Sequence, residues 1–295
     1  MKKLAFLFIL VAAISISAKD KDTSLVKTFN IGEYKLYLLS DFTSTGSKDL
    51  LIGASDEMLK KYVPDGSYPT AINCFAMRMQ GKTILIDTGL GTNLLKNLAK
   101  VKIDPKEISA VLITHMHFDH IGGLLKDGKV VFPNADIYIS KPEHAYWTSE
   151  KEMTKANDAA QGGFKLAVDV VKAYGQKVHL FTPNELGKIK ENLFEGISAI
   201  AAYGHTPGHT LYMIESNNEK LLVWGDIAHA MIIQMPYPDV ALKYDVDSKK
   251  AVTTRNKVLK YVSDNKIPIA GMHIVPPAAG TIEASGKGYS FTPFK

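Results

Sequence analysis

His115-Met-His117-Phe-Asp119-His120 places four metal-grade ligands in six residues. Upstream lies Ile108-Ser-Ala-Val-Leu-Ile-Thr114, an apolar, β-branched run that predicts a buried strand. Downstream, Gly122 and Gly123 predict a sharp turn just after the cluster. In an extended segment His115 and His117 point the same way, while a bend at Phe118-Asp119 turns Asp119 and His120 toward a second point. One short loop can thus feed two metal ions. Imidazole and carboxylate together suit zinc and its first-row neighbours, whereas calcium and magnesium prefer all-oxygen shells. The chain has nine histidines in 295 residues, so three within six positions do not read as a chance polar loop.

Four other segments place reactive groups just after apolar runs. Asp87-Thr-Gly-Leu-Gly91 follows Thr83-Ile-Leu-Ile86, and Gly204-His205-Thr-Pro-Gly-His209-Thr210 follows Ile197 to Ala202. Gly225-Asp226 follows Leu221-Leu-Val-Trp224, and Gly271-Met-His273 follows Ile267-Pro-Ile269. Strand ends in layered α/β folds converge on one edge, so loops distant in sequence can share a site. Singly these signals are weak. Asp87 reads equally as a structural hydrogen-bond acceptor and His209 as a satisfied structural histidine, while His144 and His179 have no ligand-like context.

The bulk numbers fit an ordinary soluble globular protein. Hydrophobic residues make up 46% and charged residues 22% of the chain, which is long enough for a substantial core. Further short apolar runs predict strands at Tyr34–Leu39, Cys74–Met79, Asp136–Ser140 and Leu211–Ile214. Helical patterns cover Thr92–Lys100, Glu150–Tyr174, with a kink or split expected at Gly162-Gly163, and Ser248–Asp264 with a Ser/Asp cap at its start. Many short strands with helices between them fit an α/β sandwich better than a simple parallel sheet.

Met1-Lys-Lys3, the apolar stretch Leu4 to Ile16 and the small residues Ser15-Ile-Ser-Ala18 predict a secretory signal peptide over residues 1–18. One domain is then expected over 19–295, periplasmic or secreted, with no stable membrane anchor. Cys74 is the one cysteine, so no intramolecular disulfide forms. Removing Lys2 and Lys3 from the formal +5 leaves +3, with no dense basic tract, so nucleic acid is not expected as a partner. A small-molecule substrate is, and a homodimer is left open.

Taken together, His-x-His-x-Asp-His, Gly-His-Thr-Pro-Gly-His, Gly-Asp and a late His resemble the metallo-β-lactamase-fold hydrolases. The likeness runs from about Phe29 to Phe294. Gly204 to Thr210, Gly225-Asp226 and Gly286-Lys-Gly-Tyr289 with Phe291 look most like the methyl-parathion-hydrolase-like branch, to which quorum-signal lactonases are close. The resemblance implies a four-layer αββα sandwich holding two zinc ions, or other first-row divalent metals. It assigns His115, His117 and His205 to one metal and Asp119, His120 and His273 to the other, with Asp226 bridging. Asp87 takes the place of a residue that orients the histidine loop, and His209 falls where the family has no ligand.

The reaction so implied is attack by a metal-bridging hydroxide on a lactone or carboxylic ester, of acyl-homoserine-lactone type. Asp119 would move the proton, and Phe118, Trp147 and Met231 would line an apolar pocket. Lactonases near this branch often carry a tyrosine three residues after the bridging aspartate; His229 stands there, as a second candidate catalytic group. Organophosphate triester hydrolysis is the runner-up. Asp226 argues against a β-lactamase, and the 22 residues after His273 are too few for a thioesterase's helical domain. Iron-dependent thiol or persulfide oxidation, or a binding module that has lost activity, are the readings from other classes.

Overall fold

Strands that are apolar on both faces need cover on both sides, and the layering follows from that need. The computed structural model describes residues 25–295. Two large sheets pack face to face. The first holds, in spatial order, Leu25–Ile31, Tyr34–Ser47, Ser67–Met79, Lys82–Ile86, Ile108–Leu112, Asp136–Ser140 and Val178–Phe181. Its first four strands pair antiparallel; from Lys82–Ile86 onward the pairing is parallel. In the second sheet the order is Ile197–Ala201, Thr210–Ser216, Glu219–Val223, Ile269–Ala270, Ala279–Ser285 and Gly288–Pro293. One pair there, Glu219–Val223 with Ile269–Ala270, is parallel.

Period-two alternation sorts the first sheet's side chains between two cores. Leu36, Leu38, Phe75, Met77, Ile84, Ile86 and Leu112 enter the space between the sheets, where they meet Ile200, Leu211, Tyr212, Leu222 and Val223. Leu39, Cys74, Ala76, Leu85, Val111 and Ile113 point the other way, onto Leu94 and Leu98 of one helix and Phe164, Ala167 and Val170 of another. Helix Ser248–Asp264 adds Val258, Leu259 and Val262 to the core on the second sheet's side. The αββα sandwich expected from the resemblance is the architecture found.

Some expected boundaries shift. The helical stretch from Glu150 does not break at the glycine pair. It breaks at Ala156-Asn157, where the Asn157 side chain accepts from the Ala160 N–H and starts a new helix that runs through Gly162-Gly163 to Tyr174. The Ser248–Asp264 helix begins as expected, with Asp247 accepting from the Lys250 N–H. The C-terminal hairpin Ala279–Ser285 and Gly288–Pro293 has no counterpart among the expected strands. The signal peptide expected over residues 1–18 lies outside the described residues. Among the described residues no helix is long and apolar enough to cross a membrane.

Among the charged side chains buried in this frame is an arginine. Arg255, 1% exposed, donates from Nε to the Ile227 carbonyl at 2.6 Å and from Nη1 to those of Pro238 and Val240 at 2.8 and 2.7 Å. It ties both ends of segment 227–240 to the long helix. Burial lowers its pKa to about 10, so it stays charged at neutral pH. Arg255→Met should orphan those carbonyls and cost about 2–4 kcal/mol, read as a lower urea midpoint. An unchanged midpoint would remove Arg255 as a structural anchor.

Candidate metal centre

The first sheet's strand Ile108–Leu112 and the second sheet's strands Ile197–Ala201, Glu219–Val223 and Ile269–Ala270 run toward one edge. Each delivers its reactive loop there. His115, His117, His205 and Asp226 bring ligand atoms within 4.8 Å of one another, as do Asp119, His120 and His273, and also Asp226, His229 and His273. All seven residues expected as ligands therefore meet, with His229 beside them.

Asp226 stands at the middle. Its Oδ2 lies 3.0 Å from Nε2 of both His229 and His273, 3.2 Å from that of His205, 3.3 Å from that of His120 and 3.5 Å from that of His115. Burial alone would raise this carboxyl, but the histidines hold it well below the usual carboxylate range. A second focus is Nδ1 of His117, 3.0 Å from Nε2 of both His115 and His205. Burial, with neighbouring imidazoles, pushes His115 and His117 well below the ordinary histidine value, so both present neutral lone pairs.

This donor set fits divalent metal. Five imidazoles cannot all donate to one carboxylate oxygen, and three imidazole nitrogens converging at 3.0 Å cannot all be satisfied by shared protons. Nitrogens bound to a tetrahedral cation at about 2.0–2.1 Å lie about 3.3 Å apart, close to the spacing found. His120 Nε2 and Asp226 Oδ1 are buried without a hydrogen-bond partner, as unliganded ligand atoms would be.

The far sides of the rings are held as metal-ligating imidazoles require. His120 Nδ1 meets Asp87 Oδ2 at 2.7 Å, and Asp87 also accepts from the Thr114 N–H and hydroxyl at 2.8 and 2.6 Å. His115 Nδ1 faces the Thr114 hydroxyl at 3.1 Å, and His273 Nδ1 faces the Ala71 carbonyl at 2.7 Å. His205 Nδ1 meets Asp245 Oδ1 at 2.8 Å. Asp245 escapes a reading of the sequence because it lies 40 residues from its partner, in no recognisable motif.

His209 is no ligand. Its Nδ1 faces the Ala202 carbonyl at 3.1 Å, and its Nε2 accepts from the Asp226 N–H at 2.9 Å, fixing the backbone beneath the central carboxylate. Gly225, at φ +57°, passes so close to this ring that a Cβ would strike His209 Nε2. The pocket residues divide. Phe118 and Met231 are half-buried, the latter against the inter-sheet core. Trp147 is 4% exposed, packed on Phe164 and Tyr146, with its ring 5.3 Å from that of His117. It belongs to the core rather than to an open pocket wall.

Comparison with known proteins places these observations. A family model described as the metallo-beta-lactamase superfamily matches residues 67–266. The solved structure of AidC, a dizinc quorum-quenching lactonase in complex with a product, N-hexanoyl-L-homoserine, superposes with a TM-score of 0.85 at 29% identity, covering 93% of this chain and 99% of that one. Hydrolase AbOPH, in the beta lactamase superfamily, superposes at 0.84 with the same identity and coverage. Ribonuclease TTHA0252 of Thermus thermophilus is 29% identical over 164 residues, 54% of this chain, and the chain spans only 36% of that ribonuclease.

A pH dependence follows from His209, whose pKa is pushed down to about 3 by burial. The unfolded chain takes up this proton below about 6.5 and the folded chain does not until about 3, so stability is lost as pH falls between those values. In chelator-treated protein, His209→Gln should lose less stability on acidification than wild type, by about 1.4 kcal/mol per pH unit. Parallel curves of urea midpoint against pH would contradict this.

Proposed function

The chain belongs to the metallo-beta-lactamase superfamily, and from that premise we propose that it is a dinuclear-zinc hydrolase of lactones or related carboxylic esters, with acyl-homoserine-lactone-like compounds as its substrate class. The observation that carries the reading is the single oxygen of Asp226 set among five imidazoles. Support for the lactone comes from the 29% identical AidC, whose fold matches over nearly the whole chain.

His115, His117 and His205 would hold one cation, Asp119, His120 and His273 the other, and Asp226 would reach both. Two such ions supply Lewis acidity and a water whose pKa falls from about 15.7 toward 7. The remaining chemistry belongs to side chains. The Asp119 carboxylate is the more open of the two, its side chain 15% exposed against 1% for that of Asp226, so it is the one placed to pass a proton to a leaving group. Its Oδ2 lies 3.5 Å from His273 Nε2 and 3.7 Å from His120 Nε2.

His229 stands beside Asp226 and His273. Burial lowers its pKa to about 4, so it is neutral at pH 7. With Nε2–H directed at Asp226 Oδ2, its Nδ1 keeps a lone pair, and Nδ1 has no partner in the protein. The ring thus commits its proton to Asp226, and its buried Nδ1 offers no donor to a substrate carbonyl. Stacked on His273 at 4.2 Å, it also limits how far that ring can turn.

Around the centre, Phe118 and Met231 are half-buried, while Tyr244, its ring 6.1 Å from that of His229, is exposed, giving apolar surface suited to an acyl chain. The proposed setting is outside the cytoplasm, after cleavage near Ala18; intact-mass analysis of the exported protein would show whether residues 1–18 are gone.

Zinc-loaded protein should contain two equivalents of metal by elemental analysis and hydrolyse acyl-homoserine lactones. Chelation should abolish turnover and zinc should restore it. A panel that includes aryl esters, phosphotriesters and a β-lactam orders the substrates; β-lactam cleavage with inert lactones would overturn the proposal. Asp119→Asn with both metals retained should lower kcat by roughly 10²–10⁴-fold, and undiminished kcat would take the proton-transfer role from Asp119.

A further inference from the structure

Glu143 is fully buried, lies outside the ligand set and has no part in the chemistry above, yet its carboxylate gathers four hydrogen bonds. Oε1 accepts from the Met116 N–H at 2.8 Å and the Trp147 indole N–H at 2.7 Å. Oε2 accepts from the Thr206 hydroxyl at 2.7 Å and the Gly208 N–H at 2.8 Å. Met116 sits between His115 and His117, and Thr206 follows His205. The two loops hang from different sheets, and Glu143 comes from a third element, the first turn of helix Lys141–Trp147.

We propose that Glu143 is a positioning residue that locks His115, His117 and His205 into one metal-binding face, and so sets the affinity of one of the two metal sites and not the other. The inference rests on the metal-centre reading above. The second trio, Asp119, His120 and His273, has separate supports in Asp87 and the Ala71 carbonyl.

The donor count explains why the residue is a carboxylate. All four partners are neutral donors, and four acceptor positions are what an ionised carboxylate offers. A glutamine has the same shape but places an NH2 at one end. The Thr206 hydroxyl can rotate to accept from it, whereas the Met116, Trp147 and Gly208 N–H groups cannot reverse. In either orientation at least one N–H then faces another donor. Close packing leaves little room to escape. A Cβ at Gly208 would collide with the Glu143 backbone, and Ser140 Oγ fixes the Gly208 carbonyl at 2.7 Å.

Stepwise zinc affinities, measured by competition with a chromophoric chelator, test this on the full chain. Glu143→Gln should weaken one of the two affinities by about 10–100-fold and leave the other nearly unchanged, since partners behind metal ligands typically carry that much. Excess zinc should then recover most of the lost kcat. Thr206→Val removes one donor and keeps the carboxylate; the same affinity should fall by roughly three- to tenfold. Two unchanged affinities in folded Glu143→Gln, or an equal fall in both, overturn the proposal. Should that variant not fold, unchanged affinities in Thr206→Val overturn it. A wild type that binds one equivalent defeats the two-ion reading instead, and the effect of Glu143→Gln on that one ion still decides the role of Glu143.

Discussion

A carboxylate buried among imidazoles is the constraint on which the rest of this molecule depends. Asp226 is 3% exposed, and removing an ionised carboxylate from water is tolerated only where opposing charge and hydrogen bonds surround it. Five histidines supply that surrounding, and they come from loops separated by up to 158 positions, between His115 and His273. Holding them within hydrogen-bonding range of one oxygen demands a stiff frame. The two-sheet sandwich provides it, and the buried polar groups around the centre translate its stiffness into ring positions: His209 beneath the Asp226 N–H, Asp87 behind His120 and Asp245 behind His205.

The frame and the cluster of metal-grade side chains were largely legible in the sequence because their signals are local. The histidine run, the Gly-His-Thr-Pro-Gly-His segment and Gly225-Asp226 each follow an apolar run, and strand-then-ligand reads directly as a group set at a sheet edge. The sandwich shows through strands that are apolar on both faces, such as Thr83 to Ile86 and Ile108 to Ile113. Helix Ser248–Asp264 is visible through its periodic stripe and its Asp247 cap.

What stayed hidden depends on partners far along the chain. Lys141-Pro-Glu143-His144 looks like the ordinary acidic first turn of an exposed helix, and nothing nearby says that Glu143 points inward to four donors. Trp147 reads as pocket lining from its size and place, but its indole N–H is consumed by Glu143 and its ring by Phe164. Asn157 won over Gly162-Gly163 as the helix break because a side-chain cap satisfies backbone N–H groups, while glycine in mid-helix only weakens it by about 1 kcal/mol. Arg255 presents the same difficulty: a charged residue on a periodic helix reads as solvent-facing until the carbonyls of a distant loop are seen to surround it.

The split origin of the candidate ligands has a consequence for how the chain persists. His115, His117, Asp119 and His120 hang from the first sheet, and His205, Asp226 and His273 from the second, so any ion held between them rivets the two halves of the sandwich together. Binding that occurs only when both sheets are docked is folding free energy by mass action, about 4 kcal/mol for an ion at a thousandfold excess over its dissociation constant. For a domain of ordinary marginal stability that is a large share. Metal supply would then govern the lifetime of the protein as well as its turnover, and starvation for the ion would remove the enzyme itself through unfolding and proteolysis.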